Sequence, residues 1–331
     1  MFHSTANSII RLVFTPALLL FYLIYSGAAI PVIAPVFVVI LFTLMPSRPQ
    51  LKVLLKLLVV LLFISFGIVT LGNLLIGTPT GFLLFTWSLM FLSYYRGHQD
   101  PKDIIANLTL VIVIFMVVMK QQMSIPLSVL PWTLFESFII AVLATYLGFW
   151  LFPGDETNIP PDETSIEGAD KNMGKIVFKA TATSIVLYAL IWAGSSQALL
   201  IAITFGSMIK SPITKDSHTF GYHRLITTSV GILFTIPCML LTSVNAPTFV
   251  IIGVTIFSGL QLACFAIRRK THLTIYQLLF TNFIVLTYQI VNNPSVLSLS
   301  SQMVRLASII AAISIGVLTI NLLKSGPKNT H

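Results

Sequence analysis

The chain has 331 residues, of which 56% are hydrophobic and only 9% are charged, and it carries a net charge of +9. A mean hydropathy of +0.94 indicates more apolar surface than a water-soluble fold can bury. The composition therefore predicts an all-α polytopic membrane protein. The basic excess is then assigned to loops that face the cytoplasm and anionic lipid, and no nucleic-acid partner is predicted.

Apolar runs follow one another along the whole chain, and each is long enough, or nearly so, to cross a bilayer. They lie at residues 9–27, 31–45, 53–76, 79–95, 104–123, 131–152, 176–193, 197–209, 225–243, 246–267, 273–291 and 302–323. The sequence therefore predicts about 12 transmembrane helices, with a short second and a short eighth span.

The distribution of basic residues predicts the orientation. When the amino terminus is placed in the cytoplasm, Lys120 and Arg305 are the only two of the 19 Lys and Arg residues that fall outside. An erroneous span would invert every later loop, so this bias supports the span assignment. Both termini are predicted to be cytoplasmic.

The chain divides into two similar halves around an acidic stretch from Pro153 to Asn172. Matching turns and glycines, such as Gly148 and Gly316, recur at an offset of about 168 residues. We expect two membrane repeats at 1–152 and 173–331, joined by a cytoplasmic linker at 153–172. Because each repeat has an even number of spans, the two are predicted to be parallel.

Two features of the spans suggest a transport site. The short second span contains Pro35, and short or proline-interrupted spans at matching positions mark substrate sites. Glu136 is the only carboxylate inside any predicted span, which makes it a candidate proton carrier, and Arg305 is its repeat mate. For the short span, the alternative is a helix that serves packing alone. For Glu136 and Arg305, the alternatives are a fixed ion pair between them and snorkelling of the side chains to the membrane surface.

Softer candidates for a substrate path share helix faces. They are Tyr22 in the first span, Thr181, Ser184, Tyr188 and Trp192 in the seventh, and Asn282 in the eleventh. An aromatic or amphipathic solute could stack there. Interface anchoring by the aromatic residues and interhelical hydrogen bonds by the polar ones are the alternatives.

A basic elbow from Lys210 to Gly231 separates two apolar runs, and a helix is predicted to open around Arg224. Thr228 and Gly231 follow at i+4 and i+7, on the same face. This pattern resembles the signature of the fusaric acid resistance-like and aromatic acid exporter families, except that Thr227 stands where those families usually have Gly. The six-span halves extend the resemblance over most of the chain, without the large cytoplasmic domain those families commonly carry.

The resemblance implies a secondary efflux transporter in the bacterial inner membrane. It implies small organic anions, such as aromatic carboxylic acids, as substrates and a periplasmic adaptor as partner, with proton coupling and a homo-oligomer as further expectations. The sequence has no phosphate-binding glycine loop, which argues against ATP-driven transport by this chain.

No catalytic group, metal or cofactor is predicted, because the histidines all lie outside the apolar runs. An anion-selective channel of the same architecture is the closer alternative. A membrane enzyme that uses His218 or His223 with Asp216 at the cytoplasmic face is the more distant one.

Overall fold

The computed structural model describes residues 6–45, 47–100, 103–123, 126–154, 173–194, 197–210, 214–269, 272–292 and 298–325. Over these residues the chain forms α-helices and one π-helical turn, Met119–Met123, and no strand. The helices are α1 Asn7–Tyr25, α2 Ile33–Leu44, α3 Leu51–Leu75, α4 Pro79–Gln99, α5 Ile104–Val118, α6 Val129–Leu151, α7 Met173–Trp192, α8 Ala198–Lys210, α9 Thr214–Ser243, α10 Thr248–Arg268, α11 Leu273–Asn292 and α12 Ser298–Ser325.

The helices confirm the predicted class of an all-α polytopic membrane protein. Among the described residues, 9 helices are long and apolar enough to cross a membrane, and α2 and α8 are shorter apolar helices, as predicted. Helices suit these segments because the bilayer core offers no water to the backbone, so each N–H and C=O must be satisfied within the segment. The count of twelve spans and the orientation stay predictions.

Two helices extend beyond the apolar runs that predicted them. Helix α4 starts with a proline after Thr78, where a missing N–H costs nothing, and continues past the apolar run to Gln99. Helix α9 begins at Thr214, so the prediction that a helix opens at Arg224 is wrong. Polar residues do not end a helix, and no proline lies between Thr214 and Pro237 to break this one.

The first of two compact units, unit 1, consists of the described residues within 1–58, 133–165 and 224–306. Helix α1 packs against α2, α10 and α11, and α2 packs against α11. Apolar side chains from these helices and from α6 form its core, including Leu20, Val39, Ala141, Leu262 and Phe283.

Unit 2 consists of the described residues within 59–132, 166–223 and 307–331. Helix α4 packs against α5 and α7, and α8 packs against α5 and α7. Its fully buried side chains include Met90, Tyr94, Val113, Ile114 and Phe205.

The helix neighbours of the two units correspond when helices are shifted by six positions. Unit 1 has the pairs α1–α2, α1–α10, α2–α11 and α10–α11, and unit 2 has α7–α8, α7–α4, α8–α5 and α4–α5. Each unit therefore combines the first two helices of one predicted repeat with the fourth and fifth of the other. An internal repeat would produce this correspondence; the boundaries at 1–152, 153–172 and 173–331 stay predictions, and residues 155–172 of the linker lie outside the described residues.

Candidate functional site

Two arginines inside candidate membrane spans form the centre of the site. Arg305 lies on α12, within the span Gln302–Leu322, and only 4% of its surface is exposed. Arg224 lies on α9, within the span Thr219–Ser243, and is partly buried. Both belong to unit 1, and the positive charge of Arg224 acts on Arg305. Like charges in a poorly hydrated interior repel, so an anion beside the two arginines would be attracted by both.

No protein group compensates the two guanidinium groups within the part of the chain that the structure describes. The Nε atoms of both arginines are buried there without a hydrogen-bond partner, and neither side chain takes part in an ion pair. Buried charges in folded proteins are normally paired. The arrangement is therefore one that an anionic ligand would complete.

A hydrogen-bonded scaffold holds the backbone beside Arg224. The hydroxyl groups of Thr227 and Thr228 donate to the Arg224 carbonyl at 3.1 and 2.9 Å. The Asn282 amide on α11 donates to the same two hydroxyls at 3.3 and 3.1 Å. All three side chains are buried, so this network ties α9 to α11, and it uses the carbonyl of Arg224 and not its guanidinium.

Gly231 brings α9 close to α11 one turn further on. A Cβ atom at this position would lie 3.1 Å from Leu286 Cδ1 and 3.8 Å from Asn282 Cβ. Small residues allow this kind of close helix approach in membranes. The Thr228 and Gly231 face predicted from the family pattern thus lies against α11 and positions Asn282 beside Arg224.

A further unsatisfied group lies one turn before Arg305. Gln302 is buried on α12, and its Oε1 atom has no hydrogen-bond partner among the described residues. An unsatisfied buried amide oxygen costs about 1 to 3 kcal/mol, so Gln302 lowers the stability of the fold. Its i−3 position places it on the helix face of Arg305.

The suggested Glu136–Arg305 ion pair does not form. Glu136 lies on an exposed position of α6, whereas Arg305 is buried, and the described residues contain no ion pair of either side chain. Equivalent positions in two repeats do not by themselves bring side chains together, which explains the failure of this alternative. That Glu136 carries a proton stays a prediction.

The predicted face of α7 lies against α4 in unit 2. Trp87 donates to Thr181 at 3.1 Å, Ser184 donates to Met90 Sδ at 3.3 Å, and the hydroxyls of Tyr188 and Thr86 are 3.1 Å apart. These contacts use the polar groups within the protein. The geometry therefore matches the alternative of interhelical hydrogen bonding, while a substrate role stays a prediction.

The other three predicted positions differ in burial. Tyr22 and Trp192 are 66% and 92% exposed, and Pro35 is buried in α2. Both aromatic residues lie near helix ends, where such side chains anchor in the membrane interface.

Unit 2 holds its own cations in contact with protein groups. Arg96 forms an ion pair with Asp103 at 2.6 Å, and Lys210 donates to Asn107. Burial raises the pKa of Asp103, but hydrogen bonds from Arg96 and the Ile105 amide outweigh this, and the net effect holds that pKa below its usual value. The Asp103 carboxylate also caps α5, so these charges organise the α4–α5 turn.

Arg11 shows how unit 1 holds a cation that has a structural role. Its guanidinium donates to the carbonyls of Phe152 and Gly154 at 3.1 and 3.0 Å, and it lies over the Phe149 ring, 3.7 Å from the ring centroid. The amide of Asn7 also donates to Pro153 at 2.7 Å. These bonds satisfy carbonyls that the end of α6 would leave without partners.

The described residues form no arrangement that supports the alternative of a membrane enzyme. Asp216 and His218 lie among residues whose side chains are outside the described part, and His223 is partly buried beside Tyr222. Within the described residues no cluster of three or more His, Cys, Asp and Glu could hold a metal.

Fold and site together define a polytopic membrane protein with two arginines inside its spans that have no ion-pair partner in the described part of the chain. A family model described as "Protein of unknown function (DUF2955)" matches residues 8–148, which include α1 to α5 and most of α6. No curated protein matches the chain significantly, and neither does any solved structure. The family description states no activity, so the resemblance to the aromatic acid exporter and fusaric acid resistance-like families stays a prediction.

Several buried polar residues carry no local sequence signal of a site. They are Gln302, Arg11, Lys179 and His98, and the last of these lies outside the apolar run but within the last turn of α4. Because His98 follows Tyr94 by four residues, helical periodicity places both on the same buried face of α4.

Proposed function

We propose that this protein is a secondary transporter that exports small organic anions, with aromatic carboxylic acids as the leading substrate class. The observation that carries the proposal is the pair of guanidinium groups, Arg224 and Arg305, which lies within membrane spans without an acidic partner among the described residues. Charged residues at membrane depth are costly and by default mark a substrate path.

The chemistry of the pair favours an anion over a cation or a neutral solute. A guanidinium presents a planar set of donors that matches a carboxylate in two parallel hydrogen bonds. An anion between the two arginines would remove their mutual repulsion. The unsatisfied Gln302 Oε1 atom could accept from a hydroxyl group of the substrate. The aromatic part of the substrate is inferred from the family resemblance alone.

Several features complete the proposal. A secondary mechanism follows from the lack of a nucleotide-binding loop in the sequence. A bacterial inner-membrane location and a periplasmic adaptor follow from the family resemblance. Proton coupling follows from the carboxylate of Glu136 inside a predicted span, and a homo-oligomer is a further expectation. An anion-selective channel would use the same arginine pair and is the main competing outcome.

Counterflow in proteoliposomes tests the proposal. Vesicles loaded with unlabelled 4-hydroxybenzoate and diluted into labelled 4-hydroxybenzoate should accumulate the label transiently, at a pH where the carboxylate is ionised. Neutral 4-hydroxybenzamide should not compete. Conductance without counterflow would identify a channel, and transport equal to that of protein-free vesicles for benzoate, salicylate and 4-hydroxybenzoate would contradict the proposed substrate class.

A further inference from the structure

Three unsatisfied atoms of unit 1 differ in their chemistry. Within the described part of the chain, the buried Nε atoms of Arg224 and Arg305 and the buried Oε1 atom of Gln302 have no hydrogen-bond partner. The two arginine atoms are donors in charged groups, whereas the amide oxygen is neutral and can only accept. A carboxylate alone satisfies donors and leaves the acceptor unpaired. A ligand that satisfies all three atoms has both an anionic group and a hydrogen-bond donor.

Gln302 and Arg305 lie side by side on α12. They are three residues apart, so their Cβ atoms are about 5 to 6 Å from each other on one face of the helix. Their surfaces are 2% and 4% exposed, and the apolar residues Ile309 and Ala312 continue the same buried face. A ligand whose carboxylate contacts Arg305 therefore comes within reach of Gln302.

Other buried polar side chains on these helices are satisfied by the helix itself. On α9 the hydroxyl group of Thr235 donates to the carbonyl of Ile232 at 2.9 Å, and on α12 Thr319 donates to Ile315 at 2.8 Å. The carbonyls of a helix can accept such a second bond, but beyond the first turn its N–H groups are already used. An acceptor-only atom such as Gln302 Oε1 therefore finds no partner in the interior of its own helix.

The neighbouring charge restricts the kind of donor. An ammonium group at Gln302 Oε1 would stand close to the Arg305 guanidinium, which has no ion-pair partner in the described part of the chain. Two cations in a poorly hydrated interior repel each other. A neutral O–H or N–H group avoids this repulsion and can still donate to the amide oxygen.

We propose that Gln302 determines which carboxylates the site accepts: its Oε1 atom accepts a hydrogen bond from a neutral O–H or N–H group of the substrate, while Arg305 binds the carboxylate. This role rests on the proposed function. A carboxylate turned toward Oε1 would place two acceptors in contact, so the ligand has one favoured orientation. A ligand without a donor leaves Oε1 unpaired. Sites of this kind discriminate well, because the wrong ligand leaves a buried polar group without a partner.

Matched ligands test this role in the unmodified protein. 4-Hydroxybenzoate and 4-fluorobenzoate are similar in size and are both ionised at neutral pH, but only the first has a donor. In nanodiscs, competition against labelled 4-hydroxybenzoate should show roughly tenfold or greater preference for the hydroxyl compound. 4-Aminobenzoate should bind like the hydroxyl compound, and 4-(aminomethyl)benzoate, an ammonium compound, should bind more weakly. The 3-substituted series is measured in the same way, because the position of the carboxylate decides which ring position reaches Gln302.

Substitution of Gln302 links the discrimination to this residue. Gln302→Met keeps a flexible side chain of similar length, but its thioether is only a weak acceptor. The ratio of the two affinities should fall to within about twofold of one, through loss of affinity for the hydroxyl compound. Gln302→Leu is measured in parallel, in case one variant fails to fold. Gln261→Met is the matched control, because Gln261 is exposed on α10, and its ratio should equal that of the unmodified protein.

The outcomes separate this role from the proposed function. Equal affinity of the unmodified protein for hydroxyl and fluoro compounds at both ring positions would overturn the role of Gln302. The amide would then turn its NH2 group to the carboxylate instead. A ratio that persists in the folded Gln302 variants, or that falls equally in Gln261→Met, would overturn it as well. Absence of both binding and counterflow for all these carboxylates would instead contradict the proposed function.

Discussion

Two regions of unit 1 treat a buried arginine in opposite ways. Where α1 meets the end of α6, Arg11 is 1% exposed and has two carbonyl acceptors and an aromatic ring. On α12, Arg305 is almost as buried but lacks any such partner among the described residues. Burial alone therefore does not identify a functional charge. The Nε atoms of both arginines lack a hydrogen-bond partner among the described residues, so the difference lies in the rest of the guanidinium: Arg11 Nη1 donates to two carbonyls, whereas Arg305 has no protein acceptor there.

The largest expected effect comes from removing Arg11, whose Nη1 donates to two carbonyls. Arg11→Ala leaves the carbonyls of Phe152 and Gly154 without donors and should lower the free energy of unfolding by about 3 kcal/mol. Arg269→Ala is the matched control, because Arg269 is exposed and only approaches the Phe265 ring, at 5.7 Å. Thermal unfolding in detergent measures the stability of both variants. Equal losses of stability would contradict the structural role of Arg11.

Removing the unsatisfied arginine should affect binding and spare the fold. Arg305→Gln should weaken binding of aromatic carboxylates roughly a hundredfold, as expected for loss of about 3 kcal/mol from a buried ion pair. The free energy of unfolding should stay the same or increase, because an uncompensated buried charge is removed. Equilibrium binding and thermal unfolding are measured together, with exposed Arg268→Gln as control. Unfolding with unchanged affinity would make Arg305 structural like Arg11.

Packing beside Arg224 provides a smaller test of the same region. Gly231→Ala places a methyl group 3.1 Å from Leu286 Cδ1 and should cost about 1 kcal/mol of stability. At Gly253, within α10, nothing lies within 4 Å of an added Cβ, so Gly253→Ala should cost nothing. Similar unfolding temperatures for the two variants would show that α9 and α11 do not need this close approach.

The smallest effect is expected where an ion pair is partly exposed. The lowered pKa of Asp103 adds stability that is present above its unfolded pKa of about 4 and is lost as the pH falls through the folded pKa. Since the Arg96 side chain is 42% exposed, Asp103→Asn should remove less than about 1 kcal/mol, and only above that pH window. Unfolding midpoints at pH 7 and pH 3 measure it, and an equal loss at both would contradict the assignment.

Apolar runs predicted the existence of the helices well, because a bilayer permits little else for such segments. They predicted the ends of α4 and α9 poorly, because polar residues such as His98 and Arg224 continue a helix without contributing to hydropathy. The site required contacts between distant parts of the chain. Asn282 and Thr228 are 54 residues apart, and nothing in either local pattern specifies that they meet.

The interleaving of the two units has a consequence for biosynthesis. Helix α1 ends at Tyr25, yet its partner α10 begins at Thr248. At ordinary ribosomal rates, α1 waits roughly 10 to 45 s in the membrane before α10 is made. Until then its α10-facing side can be covered only by lipid or by the insertion machinery. A chain halted after α6 would hold helices of both units and complete neither, so translational pausing within the second half should increase its degradation.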